Sequence, residues 1–465
     1  MESMFTTRTA LAAGMLLSLS ACATYHSAPL KDARGAKAIS GMSVSAAQMP
    51  TVALAHHRFD PADGLDSTEV AMLAVANSPH LRVMRDKLGV SRAQAFAAGL
   101  LPDPQLSLSR DVPTSSGNDL SNAFGLGLDY DLGALLTRSA RVSGARANQR
   151  QVQLDLLWAE WQTVAQARLL FDQVRYQQVL QRRLRHELDA IEPLQEHIQQ
   201  ALNRGDLDYA AANSGLDAAA SMRTQLVDAS RQLGDAREKL KRLLGLASDA
   251  PLHLVGETWN RQPDDAQIER ALAQLARRRP DLLALKAGYA AQESAVRAAI
   301  LGQFPAVQIG VNRARDTSAV FTTGFSIGIT LPLFNRNRGN IAIARATRTQ
   351  LADSYRARLL ETRSEVHRLR EALRMLDKQQ PAIVQHAEQM DTAARAATMH
   401  WRNGLLDWPT WLSIRASALA ADRDRYDLRQ QQATAAIALE TLLGGDWSDH
   451  TRAAKTLPKT TDPGS

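Results

Sequence analysis

The chain has 465 residues, 45% hydrophobic and 22% charged, with a formal net charge of +7. That balance suits a folded protein and is too polar for a bundle of membrane-spanning helices. The excess of Arg is scattered among Asp, Glu and Gln along helical stretches, which reads as solvated helix faces, and no nucleic-acid motif accompanies it.

Residues 1–22 read as an export signal: Arg8, then an apolar stretch from Ala10 to Leu19. The run Leu19-Ser20-Ala21-Cys22 resembles the bacterial lipobox, which implies cleavage before Cys22 and acylation of that residue. Cys22 is the only cysteine, so intrachain disulfides are excluded. Ala23, in place of Asp, resembles lipoproteins sent on to the outer membrane. Past this segment no apolar run approaches the ~20 residues of a spanning helix, so any crossing falls to strands. Residues 23–64 read as an irregular segment along the outside of the strand region.

The rest of the chain is one unit written twice, at 65–245 and 266–445, with an offset of about 200 residues. Ser78-Pro79 matches Arg279-Pro280, Leu101-Pro102 matches Phe304-Pro305, and Phe124, Leu126 and Leu128 match Phe325, Ile327 and Ile329. Gly205 and Asp208 match Gly404 and Asp407, and Leu243-Leu244-Gly245 matches Leu442-Leu443-Gly444. Each copy reads as a helix (66–99, 266–302), two strands, a long helix, a turn and a helix. Residues 246–265 are a linker that packs as a belt around the helices, and 446–465 a loose tail.

The strands alternate. Leu106, Leu108 and Val112 oppose Gln105, Ser107, Ser109 and Asp111. Phe124, Leu126, Leu128, Tyr130 and Leu132 oppose Ala123, Gly125, Gly127, Asp129 and Asp131. The second copy does the same over Val307–Val311 and Phe321–Leu331. A greasy face backed by a small polar one is the pattern of a transmembrane barrel strand, which makes Asp129 and Asp131 lumen-facing. Arg110 and Arg313 occupy matching places on the apolar face and are expected at the outer rim. Four strands cannot close a pore, and open edges in lipid are costly, so oligomerisation follows.

Residues 134–203 keep helical periodicity over about 105 Å. Leu180, Leu184, Leu188, Ile191, Leu194, Ile198 and Leu202 form one stripe. Leu226, Ala229, Leu233, Ala236, Leu240 and Leu243 form another, with heptad spacing. Pro193 and Pro381 are expected to kink their helices. In the two turns Gly stops a helix and Asp caps the next.

These features together resemble the TolC-like outer-membrane factors (the outer membrane efflux protein family), lipoprotein type. The fold class expected is mainly α with a transmembrane β-barrel portion. The resemblance implies a homotrimer with a shared 12-stranded barrel in outer-membrane lipid and an α-barrel tunnel through the periplasm. It implies hairpin tips that gate the tunnel and meet a periplasmic adaptor, which links to an inner-membrane pump. Gly205, Asp208, Gly404, Asp407, Trp408 and Trp411 fall at those tips. Relatives often carry an acidic residue past the second tip glycine, where this chain reads Trp408-Pro409-Thr410-Trp411-Leu412-Ser413. The implied function is export of small molecules, drugs or metal ions. Type I protein secretion and a non-channel coiled-coil scaffold are the alternatives. The 102–107 run Pro-Asp-Pro-Gln-Leu-Ser resembles the metal-efflux branch, but no cluster with metal-ligand spacing supports it. No catalytic motif is present, so a conduit without cofactor or metal is expected, not an enzyme.

Overall fold

The computed structural model describes residues 25–30, 35–114, 120–206, 209–257 and 262–444. The signal segment with Cys22, the tail from 446 and the tip residue Asp208 lie outside the described residues. The chain divides after Gly35, and the described residues of the first unit carry no regular secondary structure.

The second unit starts with two 3-10 turns and a short helix α1 (Val52–His56). The first repeat follows: α2 (Ser67–Asn77), α3 (Pro79–Gly99), β1 (Gln105–Asp111), β2 (Ala123–Asp131), α4 (Gly133–Arg204) and α5 (Tyr209–Leu244). The second repeats the order: α6 (Asp265–Arg278), α7 (Pro280–Leu301), β3 (Ala306–Arg315), β4 (Phe321–Thr330), α8 (Arg338–Arg402) and α9 (Trp408–Leu443). Matching signals start the copies. Asp66 and Glu69 form a capping box on α2, and Asp264 and Gln267 form one on α6.

Each copy opens with two helices, where periodicity suggests one. The break falls at Ser78-Pro79 and at Arg279-Pro280. Proline forces the residue before it out of the helical region, and Ser78 (ψ 125°) and Arg279 (ψ 120°) are extended. The proline itself then sits at the first position of the next helix, where its missing N–H costs nothing.

Helix α4 has 72 residues and α8 has 65, and both continue through Pro193 and Pro381. At 1.5 Å per residue α4 is about 108 Å long. Its stripe is buried at Leu184, Leu188, Ile191 and Ile198. On α5 the stripe is buried at Ala229, Leu233, Ala236 and Leu240, and Leu244 takes the place expected for Leu243. The end of α5 abuts the start of α3. Gly245 is left-handed (φ +71°), and a Cβ there would sit 2.9 Å from the carbonyl of Asn77. The end of α9 meets the start of α7 in the same way, through a bond from Arg279 Nη1 to the Leu442 carbonyl at 3.4 Å.

The cores repeat as well. One joins α2, α4 and α5 around Phe171, Leu73 and Leu240; another joins α6, α8 and α9 around Ile268, Leu369 and Leu439. The segment from Ala36 does not run along the strands as expected. It lies on the first of these cores, through parallel bridges Ala36–Leu246 and Leu65–Leu254 and the buried Leu54. The linker also packs there: Arg175 of α4 donates to the carbonyls of Leu254 and Gly256.

The four strands form one antiparallel sheet in the order β1-β2-β3-β4, so the copies join at β2–β3 and both outer edges are unpaired. The register stacks Ser109 on Gly125, Ser107 on Gly127, and Asp129 on Gly310, which faces Ser326 on its other side. A Cβ on Gly125 or Gly127 would come within 2.5 Å of the opposing serine Oγ. Glycine is needed on this face because its polar side chains crowd together.

An ionic cluster marks the α6–α7 break. Arg279, fully buried, clasps both oxygens of Asp281 at 2.7 Å, and Arg358 Nε donates to the same carboxylate at 2.9 Å. Its guanidinium lies 4.6 Å from the Trp158 ring centre. Burial pushes the Asp281 carboxyl up, but the bonds and charge of Arg279, then of Arg358, hold it below its ordinary value. The cluster therefore stabilises the fold above the ordinary carboxylate range, and that contribution is lost as pH falls through the depressed value. Arg279→Ala should cost about 3–5 kcal/mol, read as a drop in midpoint of thermal or chemical unfolding at pH 7. The deficit should shrink toward pH 3; a pH-independent deficit would show that packing on Trp158 alone is at stake. Gly310→Val should destabilise the sheet by about 1–3 kcal/mol through overpacking, while Gly41→Val, with open space around it, should not.

Candidate functional site

Two regions carry functional chemistry: the sheet and the hairpin tips. On the sheet the pairing puts Leu106, Leu108, Phe124, Leu126, Leu128, Tyr130, Val307, Ile309, Val311, Phe325, Ile327 and Ile329 on one face. Most are bare: Leu108 is 77% exposed and Phe325 66%. Among the described residues nothing covers this dry face. The other face carries Gln105, Ser107, Asp129, Gln308, Asn312 and Thr322 between glycines. Its only charges are Asp111, Asp129 and Asp131. Asp129 and Asp131 thus share the wet face, as alternation requires. Asp131 also accepts from the Gly133 N–H at 2.8 Å, at the start of α4.

The sheet joins the helices at one end only. Arg138 Nε donates to the Gly99 carbonyl at 3.1 Å, and Asn337 Nδ2 to the Ala299 carbonyl at 2.7 Å. Each bond ties the last turn of a short helix to the beginning of a long one. The hairpin loops are at the opposite end, and Arg110, Arg313 and Arg315 lie beside them on the dry face. Arg315 escapes a sequence reading that matches only equivalent positions, although its spacing of two from Arg313 puts it on the same face.

At the tips, α4 and α8 end the same way. Gly205 (φ +78°) and Gly404 (φ +72°) are left-handed, and the next N–H reaches back to the Ala201 or His400 carbonyl at 2.9 Å. This double-bonded stop needs glycine, since a Cβ is strained at positive φ. Both glycines are open to solvent. Asp407 caps α9 by accepting from the Thr410 N–H at 2.7 Å, and that bond holds its carboxyl below the ordinary value. Tyr209 (81%) and Leu405 (71%) project as exposed apolar side chains.

The expected tip tryptophans divide. Trp408 is half-buried. Trp411 is only 1% exposed, so it cannot face a gate or a partner directly. It stacks on Trp401 with ring centres 4.4 Å apart, and its Nε1 donates to Thr398 Oγ1 at 3.1 Å. Spacing three after Trp408 turned it inward, into a core where Leu188 and Ile191 of α4, Met222 of α5 and Leu412 of α9 meet. That core binds the two hairpins together near their tips.

Polar pairs continue the seam between α4 and α9. Arg415 donates twice to Glu187, Arg168 reaches Glu440 at 3.0 Å, and Tyr176 donates to Asp427. Burial, and then the bond to Asp427, push the Tyr176 phenol up to about 12, so it stays a donor. Pairs more than 200 residues apart leave no local signal in sequence. Among the described residues no group of His, Cys, Asp and Glu could hold a metal ion, and no helix is long and apolar enough to cross a membrane.

Comparison with known proteins agrees with this arrangement. The family model described as outer membrane efflux protein matches residues 271–445, the second repeat. The pyoverdine export outer membrane protein OpmQ of Pseudomonas putida is 28% identical over 409 residues, covering 81% of this chain and 85% of the relative. A membrane protein from Pseudomonas aeruginosa shares the fold with a TM-score of 0.71 at 20% identity, covering 90% of this chain and 97% of that one. CusC shares it with a TM-score of 0.68 at 18% identity, over 86% of this chain and 97% of that one. The doubled helix–strand–strand–helix–helix unit, the four-stranded sheet and the shared fold agree with the match over the second repeat: in sequence and in fold this chain is similar to the outer membrane efflux proteins.

Proposed function

We propose that this chain is the outer-membrane channel subunit of a tripartite efflux system. The observation that carries the reading is the sheet: dry and bare on one face, wet and glycine-rich on the other, unpaired at both edges. A bilayer rewards the dry face and penalises the edges by several kcal/mol per unpaired group. Edge-to-edge pairing of β1 with β4 of a second copy removes that penalty. Three copies of four strands give a closed twelve-stranded barrel. Strands β2 to β4 have 9 or 10 residues, close to the 9–11 of a tilted crossing. The wet face then lines the lumen, and the long helices extend the conduit into the periplasm, with lipid on Cys22 as a second anchor.

In this reading the exposed tip residues Leu405 and Tyr209, near Gly205 and Gly404, meet a periplasmic adaptor that leads to an inner-membrane pump. The adaptor shifts the population between two packings of the hairpins across the α4–α9 seam. The likeness to a pyoverdine exporter favours a small-molecule cargo over protein secretion. Catalysis has no part in it.

Purified protein in a planar bilayer should give a stable ohmic current with cation preference, since every charge on the wet face of the sheet is a carboxylate. Asp129→Asn with Asp131→Asn should reduce that preference without abolishing conduction. Folded oligomer that carries no current would sink the channel reading. At the tips, Leu405→Asp should leave the melting temperature unchanged yet abolish adaptor binding and export in cells. Trp411→Ala should instead cost about 3–5 kcal/mol of stability. Export that survives Leu405→Asp undiminished would remove the tip from the adaptor interface.

A further inference from the structure

The dry face ends in a row of cations. Across the strands, next to the hairpin loops, Arg110 pairs with Phe124, Phe124 with Arg315, and Arg315 with Phe321. Arg313 lies two residues nearer the helices, between Leu126 and Thr323. The guanidinium carbons of Arg110, Arg315 and Arg313 stand 5.9, 5.8 and 6.0 Å from the centres of Phe124, Phe321 and Phe321. The rings hold the guanidinium groups close to the dry face.

Among the described residues no carboxylate answers them. The dry face carries no Asp or Glu, and among the described residues none of the three arginines makes an ion pair. Arg315 Nε is buried without a hydrogen-bond partner. The nearby loop carboxylate, Asp316, is engaged by the N–H groups of Ser318 and Val320 at 2.9 and 3.0 Å. Asp111, next to Arg110, points to the wet face.

Below the row the face is continuously apolar and exposed, from Leu108 and Leu126 to Phe325 and Ile327. A guanidinium fork matches the oxygens of a phosphate, and acyl chains match the apolar face beneath it. We propose that Arg110, Arg313 and Arg315 form a binding site for the phosphate groups of an anionic membrane lipid whose acyl chains lie along the dry face. The site rests on the barrel reading above, which places the hairpin loops at the leaflet remote from the helices. Near a charged membrane surface each arginine strengthens such binding by about fivefold.

The test uses the full-length protein, delipidated in detergent and examined by native mass spectrometry. The probes are bis-phosphorylated lipid A, the same lipid dephosphorylated, and inorganic phosphate. Lipid A should be retained at least about tenfold better than its dephosphorylated form. The triple variant Arg110→Gln, Arg313→Gln, Arg315→Gln should lose that margin, and the triple Lys variant should keep part of it. Circular dichroism and unchanged single-channel conductance establish that the variants are folded. Equal retention of lipid A by the Gln variant overturns the site. Displacement of lipid A by an equal concentration of inorganic phosphate makes it a free-anion site and overturns the lipid assignment. Normal current with no phosphate preference sinks this inference alone, whereas absence of current in folded wild-type oligomer sinks the channel reading and this site with it.

Discussion

The rows of N–H and C=O groups on the outer edges of β1 and β4 constrain everything else. In water they cost little. Beside lipid they would have no partner, so the proposed barrel has to pair them. The four-stranded sheet is therefore half of a physical argument, completed by more strands of the same kind. The crowded polar face fits the same geometry. Side chains on the inside of a curved sheet converge, and glycine at 125, 127, 310 and 324 opposite Ser109, Ser107, Asp129 and Asn312 makes the room.

The helical part solves a different problem. Most helical stability in a protein comes from packing one face of the helix, and each long helix is lined by shorter ones: α5, α3 and α7 along α4, and α9 and α7 along α8. The junctions carry unusual chemistry because two helix ends meet there. Gly245 admits a carbonyl at close range, and Arg279 neutralises Asp281 while bonding the last turn of α9. The first repeat has Ser78 and His80 where the second has Arg279 and Asp281, so the copies share a frame and differ in what locks it.

Between the hairpins the seam is mixed. Near the tips it is aromatic and apolar around Trp411; farther along it is a ladder of Arg–carboxylate and Tyr–Asp pairs. Buried pairs of this kind fix which residues of α4 and α9 face one another, because a shift of register would leave a charge buried without its partner.

Much of this was legible in the residue order because it depends on local periodicity. Alternation in 105–112 and 123–132 defines two faces, three-four spacing defines the helix stripes, and Gly with Asp three residues on defines a turn. The doubled pattern brought the strands and tips into correspondence. The split of the opening helices was also written locally, in the prolines at 79 and 280, but outvoted by continuous periodicity. Other features depend on contacts between distant segments. Only the fold shows that Trp411 is buried where Trp408 is half-open, that Glu187 meets Arg415, and that the segment from Ala36 lies on the helices. The Arg–Phe row exists only once register aligns four strands, because its members are up to about 210 residues apart and a slip of one residue would send them to the wet face.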